Sequence, residues 1–380
     1  MNFDFSEEQE QLKESVERFL SEQYPFEKYR AVLASPQGWD RGSWAGLAEI
    51  GALAINVPAE QGGLGFGPLE TLAMMGACGR SLVLEPVLSS AVIATELLKT
   101  YAANPAAAGL LAELAAGKRI AVLAHFERDS RFETAWVNAR AERRGSRYVL
   151  NGHKAVVMHA PAADELLVSA RTSGDSQDEA GVSLFRVHAG MPGVSMDAYP
   201  TIDGQRAADV YLKDVEVPAS ELLGEEGGAL GVIAAAIDVG VAALCAESVG
   251  VMQALIEATV QYVQTRKQFG QPIGKFQVLQ HRIADMLIQL EQARSMSYLA
   301  ALKCQAGDAT ERRRALAAAK TVVGQASRFV GQQAVQLHGG MGMTDELIVS
   351  HWFKRLTASE LMFGDSDTHL QRFASLTRGG

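Results

Sequence analysis

The spacing of apolar residues changes period twice along the 380 residues, and this constrains the fold more than any single motif. Over residues 1–117 the spacing is helical: Leu12, Val16, Phe19 and Leu20 share one face, and Ser6 with Gln9 forms a capping box. Alanine-rich stretches such as SSAVIATELLKTYAANPAAAGLLAELAAG carry the pattern to a boundary at Gly117-Lys118. From 118 to 222 the period falls to two. RIAVLAHF, RYVLNGHKAVVMH, DELLVSART, GVSLFRVH and DVYLKDVEVP are short, rich in valine and leucine, and separated by turn residues such as Asn151-Gly152. No helical pattern lies between them, so they predict an antiparallel barrel or sandwich rather than a parallel βαβ sheet.

Over residues 223–380 the helical period returns in longer pieces. ALGVIAAAIDVGVAALCAESVGVMQALIEATVQYVQTRKQ has no proline, and Pro272 is expected at the start of the next helix. Another long helix is expected from about 310 to His338, stopped by Gly339-Gly340. Long apolar-faced helices with short turns predict an antiparallel four-helix bundle. The chain therefore reads as a multi-domain α+β protein: an N-terminal helical domain, a middle β domain and a C-terminal bundle.

A net charge of -9 leaves no basic field for nucleic acid or anionic lipid, although local arginines can still hold a small polyanion. Cys78, Cys245 and Cys304 lie far apart without a CxxC spacing, which argues against a zinc site or a disulfide framework. Buried free thiols in a reducing cytosol are expected. The opening MNFDFSEEQEQL carries acids where a signal peptide carries bases, and no apolar run reads as membrane-spanning, so a cytoplasmic protein with no membrane or nucleic-acid partner is expected.

No GxSxG, P-loop or HExxH is present. The glycine-rich EQGGLGFG at 60–67 lacks the strand and helix that a dinucleotide fingerprint requires and reads as a tight loop. Two other segments stand out by position. TRKQFGQPIGKFQ (265–277) joins two long helices and sets Arg266, Lys267 and Gln268 around Phe269. QLHGGMGM (336–343) leaves amides bare at a helix end, next to His338. Taken singly each is a helix-to-helix turn, but an arginine, bare amides and a flat aromatic are what a pyrophosphate and an adenine require. Near the end, MFGDSDTHLQR (362–372) offers Asp365 either as the cap of a helix over 366–376 or as a catalytic carboxylate.

The chain resembles the acyl-CoA dehydrogenase family over nearly its whole length. SEEQEQLKESVERF, EIGALAINVPAEQGGLG, RYVLNGHK and LKDVEVP carry the resemblance, and RKQFGQPIGKFQVLQHRIADM and AVQLHGGMGMTDE are its most specific parts. It implies FAD as cofactor and removal of two hydrogens from an acyl-CoA: a carboxylate takes the α proton and the flavin accepts a hydride from the β carbon. It also implies an electron-transfer flavoprotein or similar acceptor. In the family the flavin lies on the β domain of one subunit, with its pyrophosphate and adenine end held by a neighbour's bundle. On that pattern Arg266, Phe269, Gln336, Gly339 and Gly340 are expected to contact the FAD of an adjacent subunit.

Other positions depart from the pattern. The family's threonine-glutamate-proline run ending in glycine-serine-aspartate is Phe126, Glu127, Arg128, Asp129, Ser130 and Arg131 here, and the flavin-flanking tryptophan and threonine are Val156 and Met158. The usual base glutamate is Phe363, and the alternative base position on the first long bundle helix is Gly240, with Val241 in place of the arginine beside it. Asp365 remains as a carboxylate. Kept cross-subunit contacts with a missing base point to a specialised partner chain, since some members are heterotetramers of two unlike chains, including those for steroid side chains. The chain is especially similar to a small subunit acting on dicarboxylyl-CoA thioesters such as pimeloyl-CoA. That similarity implies a large acyl-CoA dehydrogenase subunit as partner. A self-sufficient homotetramer using Asp365 as base and a non-catalytic assembly chain are the alternatives.

Overall fold

The computed structural model describes residues 6–378. Among these, the first helices are α1 (Glu7–Gln23), α2 (Phe26–Ala34), α3 (Arg41–Glu49), α4 (Pro68–Ser81), α5 (Thr95–Thr100) and α6 (Pro105–Ala115). The strands β1 (Ala121–Ala124), β2 (Arg140–Arg144), β3 (Arg147–Met158) and β4 (Glu165–Arg171) come next. They are followed by β5 (Val182–His188), β6 (Val194–Pro200), β7 (Arg206–Pro218) and β8 (Leu222–Leu223). The chain ends in α7 (Leu230–Thr265), a hairpin of β9 (Lys267–Gln268) and β10 (Gln271–Pro272), then α8 (Gln277–Lys303), α9 (Ala309–His338), α10 (Ile348–Leu361) and α11 (Ser366–Arg378). The period changes thus mark real changes of structure. Two compact units result, one of Ala31–Gly67 and Leu84–Gly240, the other of Met1–Arg30, Pro68–Val83 and Val241–Gly380.

The first unit holds the sheet, with strands in the order β6-β7-β3-β2-β4-β5-β8 and β1 beside β4. Pairing is antiparallel except between β1 and β4 and at Arg140↔Arg171, where β2 meets β4 in parallel. A purely antiparallel sheet has no place for these contacts. They arise because the β2–β3 hairpin is inserted between β1 and β4, long enough to serve as a crossover. Arg171 is buried and gives its guanidinium to main-chain carbonyls, among them Val137, Ala135 and Ser176, so its charge is solvated by peptide dipoles rather than by a carboxylate.

In the second unit α8, α10 and α11 pack on α9, α4 meets α8, and α1 lies along α4. The backbones of α4 and α7 meet where glycine leaves room: a Cβ on Gly250 would stand 2.0 Å from the Gly76 carbonyl oxygen, and one on Gly79 2.2 Å from that of Glu247. Buried Arg355 of α10 pairs with Glu247 of α7 in a fork, Nε to Oε1 at 2.6 Å and Nη2 to Oε2 at 2.8 Å. The Ser6–Gln9 capping box is present in both directions, at 3.3 and 2.9 Å, and the three cysteines are buried free thiols.

Two expectations are corrected. Pro272 does not open α8, because residues 267–272 pair as a hairpin and a 3₁₀ turn (Ile273–Lys275) intervenes. The expectation that no run is long and apolar enough to span a membrane fails for α7, whose most apolar 18-residue window has a mean hydropathy of 1.9. Its alanines and valines face protein: 72% of that window is buried.

Removing one partner of the Glu247–Arg355 pair strands a buried charge. Arg355→Met should therefore cost about 3–5 kcal/mol in urea unfolding, and Glu247→Leu/Arg355→Met should recover most of the loss.

Candidate functional site

At one end of the helical unit the chain leaves α7 at Thr265, whose hydroxyl donates back to the Gln261 carbonyl at 3.0 Å. Arg266 N–H still donates to the Tyr262 carbonyl at 2.8 Å, and its own carbonyl accepts from Ile273 N–H at 2.8 Å, closing the hairpin. The two residues at the tip, Phe269 and Gly270, have φ of +54° and +77°. Such a turn favours asparagine or glycine at its first position, so phenylalanine there is strained. Its ring is 89% exposed and meets Phe276 edge-on at 6.0 Å. Arg266 is exposed beside it.

The glycine turn reaches the same end. Tyr262 stacks on His338 with ring centroids 4.4 Å apart and 27° between planes, and its hydroxyl donates to the His338 carbonyl at 3.4 Å. His338 Nδ1–H donates to the Ala334 carbonyl at 2.9 Å, and burial holds the imidazole pKa below its ordinary value. The next residue, Gly339, has φ +62° and ψ -146°, a region that side chains avoid. A Cβ on Gly339 or Gly340 would meet nothing within 4 Å, and Gln336, Met341 and Met343 are exposed around them. The pairing of this hairpin with this turn was not legible in the motifs, because it depends on Tyr262, an ordinary residue in a long helix.

The turn before α11 is arranged differently. Phe363, in the position of the expected base, has φ +60°, and its carbonyl accepts from His369 Nε2–H at 3.1 Å. Asp365 Oδ1 accepts from Thr368 N–H at 2.8 Å, which makes Asp365 the cap of α11. Hydrogen bonds from Thr368 hold the Asp365 carboxyl below the usual carboxylate range, a shift that weakens it as a base. Beneath the turn, buried Lys320 of α9 donates to the carbonyls of Ser359, Glu360 and Gly364 at 2.9, 2.8 and 3.2 Å. It thereby satisfies the open end of α10. Burial pushes its ammonium pKa down. The buried Glu360 carboxylate is also engaged, accepting from Ser366 N–H at 3.0 Å and Arg328 at 3.3 Å. A single lysine within ALAAAKTVVG is the available sequence signal for this support, and it matches no motif. Gly240 and Val241, at the alternative base position, are both buried.

In the β unit, Glu127 is buried, and its carboxylate accepts from Asn138 and Ala139 N–H at 2.8 and 3.0 Å and from Lys154 Nζ at 2.7 Å. Lys154 also donates to Ser169 Oγ and the His125 carbonyl, both at 3.1 Å, and burial lowers its pKa. His125, in the same cluster, is pushed down to about 3, mainly by burial. Ser130 Oγ turns back on Glu127, accepting from its N–H at 3.0 Å and donating to its carbonyl at 2.8 Å. Val156 sits with φ +51° where the β3–β7 ladder shifts register, 57% exposed, and its N–H is taken by Asp209 Oδ1 at 3.0 Å. The polar groups named here are spent inside the domain.

Comparison with known proteins identifies the family and the fold. Models of the acyl-CoA dehydrogenase N-terminal, middle and C-terminal domains match residues 6–118, 124–215 and 228–375. The chain is 29% identical over 370 residues to mitochondrial isovaleryl-CoA dehydrogenase of Pongo abelii, covering 95% of this chain and 86% of that protein. Among solved structures it is similar to the ChsE4-ChsE5 complex from Mycobacterium tuberculosis, with a TM-score of 0.89, 26% identity and full coverage of both chains. It is likewise similar to the FAD complex of PigA, with a TM-score of 0.90, 27% identity and full coverage of both. The protein belongs to the acyl-CoA dehydrogenase family, whose members are FAD-dependent oxidoreductases acting on acyl-CoA.

Against an FAD the two halves of the chain differ in fit. The bundle end offers an exposed guanidinium, an exposed ring and an open glycine backbone, which suit a pyrophosphate and an adenine. The stretch from Phe126 to Arg131, with Val156 and Met158, offers little to a flavin ring: a phenylalanine replaces a hydroxyl, and the Val156 amide is already paired.

If Asp365 serves as a cap, Asp365→Ala should destabilise the protein by about 1 kcal/mol in chemical unfolding, and Asp365→Asn by much less. Because its folded pKa lies below the ordinary value, this contribution is present above about pH 4 and fades as pH falls through the lower folded pKa. The alanine deficit should therefore shrink in acid. A deficit that stays constant down to about pH 2 would contradict the assignment.

Proposed function

We propose that this chain is the small subunit of a heteromeric, FAD-dependent acyl-CoA dehydrogenase. Its bundle end closes on the pyrophosphate and adenine of a flavin whose ring rests on an unlike large subunit. One contrast carries this reading: Phe269 is held out at 89% exposure on a strained tip three residues after the exposed Arg266, and the open Gly339-Gly340 backbone follows the His338 on which Tyr262 stacks, while the base position is the apolar Phe363. Arg266 grips the pyrophosphate, Phe269 covers the adenine, and the backbone around Gly339 and Gly340, with Gln336, supplies further donors. When bound, FAD supplies the hydride acceptor, and the large subunit supplies the carboxylate that removes the α proton.

Exposed Val278, Leu287 and Ile288 on α8 support a macromolecular partner for this unit. A homotetramer relying on Asp365 would need that carboxylate free, yet it is engaged by Thr368. An assembly chain without flavin contacts leaves the strain at Phe269 without a purpose. We take the substrate to be a dicarboxylyl-CoA, on the resemblance of RFVGQQAVQLHGGMGMT and LMFGDSDTHL to the small subunit of pimeloyl-CoA dehydrogenase. An electron-transfer flavoprotein or similar acceptor and a cytoplasmic location complete the reading.

In the assembly with the large subunit, Arg266→Ala should weaken FAD affinity by at least about tenfold, read as a lower flavin-to-protein absorbance ratio after gel filtration, without loss of helical circular dichroism. Phe269→Ala should act in the same direction. Full flavin occupancy in both variants would reject the assignment.

A further inference from the structure

The helical unit contains a cavity of about 660 Å³ beside the crossing of α4 and α7, a size that encloses small molecules. Its buried wall is small and apolar, Ala73 and Ala77 from α4 with Ala246 and Gly250 from α7, and half-buried Val249 adjoins it. The close approach of the two backbones at Gly76 and Gly250 removes the side chains that would otherwise fill this space.

The more exposed lining is charged, with three acids, Glu10, Glu17 and Glu291, and three bases, Lys13, Arg80 and Arg294. Lys13 Nζ stands 3.4 Å from Glu10, and Arg294 donates to Glu291 at 2.6 Å and to Gln253 at 3.3 Å. Arg80 donates to Glu257, outside the cavity lining. A guanidinium has five donors, so these pairings leave Arg80 and Arg294 able to bind a further acceptor.

A second observation points to a ligand. Ser297 of α8 lines the same cavity and is 2% exposed, and its hydroxyl has no hydrogen-bond partner. A buried hydroxyl without a partner costs stability, and a bound polar atom in the cavity would relieve that cost.

We propose that this cavity binds a small zwitterion with an apolar body, of the class of an apolar α-amino acid or a short apolar peptide. The equal numbers of acids and bases select for both charges at once: a lone carboxylate would face three acids, and a lone ammonium three bases. The ligand ammonium lies toward Glu10, Glu17 and Glu291, its carboxylate toward Arg80 and Arg294, and its apolar body on the alanine-glycine wall. Ser297 completes the site with a hydrogen bond to a carboxylate oxygen of the ligand or, in a peptide, to its amide. The site lies wholly within the helical unit and is independent of the divided flavin site.

Calorimetric titration of the full-length protein with L-phenylalanine and with L-leucyl-L-leucine tests the proposal, with hexanoate and hexylamine as single-charge probes. At least one zwitterion should bind at least about tenfold tighter than either single-charge probe, and the tighter of the two identifies amino acid or peptide. Ser297→Ala should weaken that binding about three- to tenfold while leaving the melting temperature of the free protein unchanged or raised. Arg294→Gln should weaken it without changing the fold. Failure of both zwitterions to bind, equal binding of hexanoate or hexylamine, or a Ser297→Ala variant that melts lower with unchanged affinity would overturn the proposal.

Discussion

The stack of Tyr262 on His338, 4.4 Å between ring centroids, decides what one end of the helical unit presents. Tyr262 lies in the last turn of the 36-residue α7 and His338 is the final residue of the 30-residue α9. Helices of that length carry their termini far from the middle of the core, and a small difference in register would separate the turns at their two ends. The stack, with the Tyr262 hydroxyl on the His338 carbonyl, holds the ends together. It brings the last turn of α7, which leads into the hairpin carrying Phe269, to the residue that precedes Gly339-Gly340. The neutral state favoured for His338 suits this packing, since a buried imidazolium beside a ring and a carbonyl would have no counter-charge.

A buried polar framework supports the rest of the unit. Glu247 with Arg355 ties α7 to α10, and Lys320 closes the carbonyl end of α10. Each charge is matched by a fork or by peptide dipoles, as burial requires. The same economy holds in the β unit, where Glu127, Lys154 and Ser169 satisfy one another. These groups are committed inside the β unit, whereas the bundle end leaves the Arg266 side chain and the Gly339-Gly340 backbone exposed.

Much of the fold was legible because it rests on local periodicity and punctuation. The capping box at Ser6, the helix ending at His338 before two glycines, and the alternation from 118 to 222 all follow from local rules. The parallel contacts of β4 with β1 and β2 were not legible, because strand neighbours are chosen by tertiary packing. Pro272 reads as a helix start because a short hairpin that turns through a strained, left-handed phenylalanine has no propensity signal. α7 is apolar enough to resemble a membrane span, and only its burial distinguishes it. For the candidate site, the sequence showed which side chains are present and which are replaced. It did not show that Tyr262 joins two distant turns, whereas the cap at Asp365 was one of its two readings of that residue.

The proposed division of the flavin site is tested most directly by the visible spectrum of this chain purified alone, incubated with FAD and passed through gel filtration, beside the same chain co-purified with the proposed large subunit. A divided site predicts a colourless chain alone and a yellow complex. Flavin retained near one per chain by the protein on its own would contradict it.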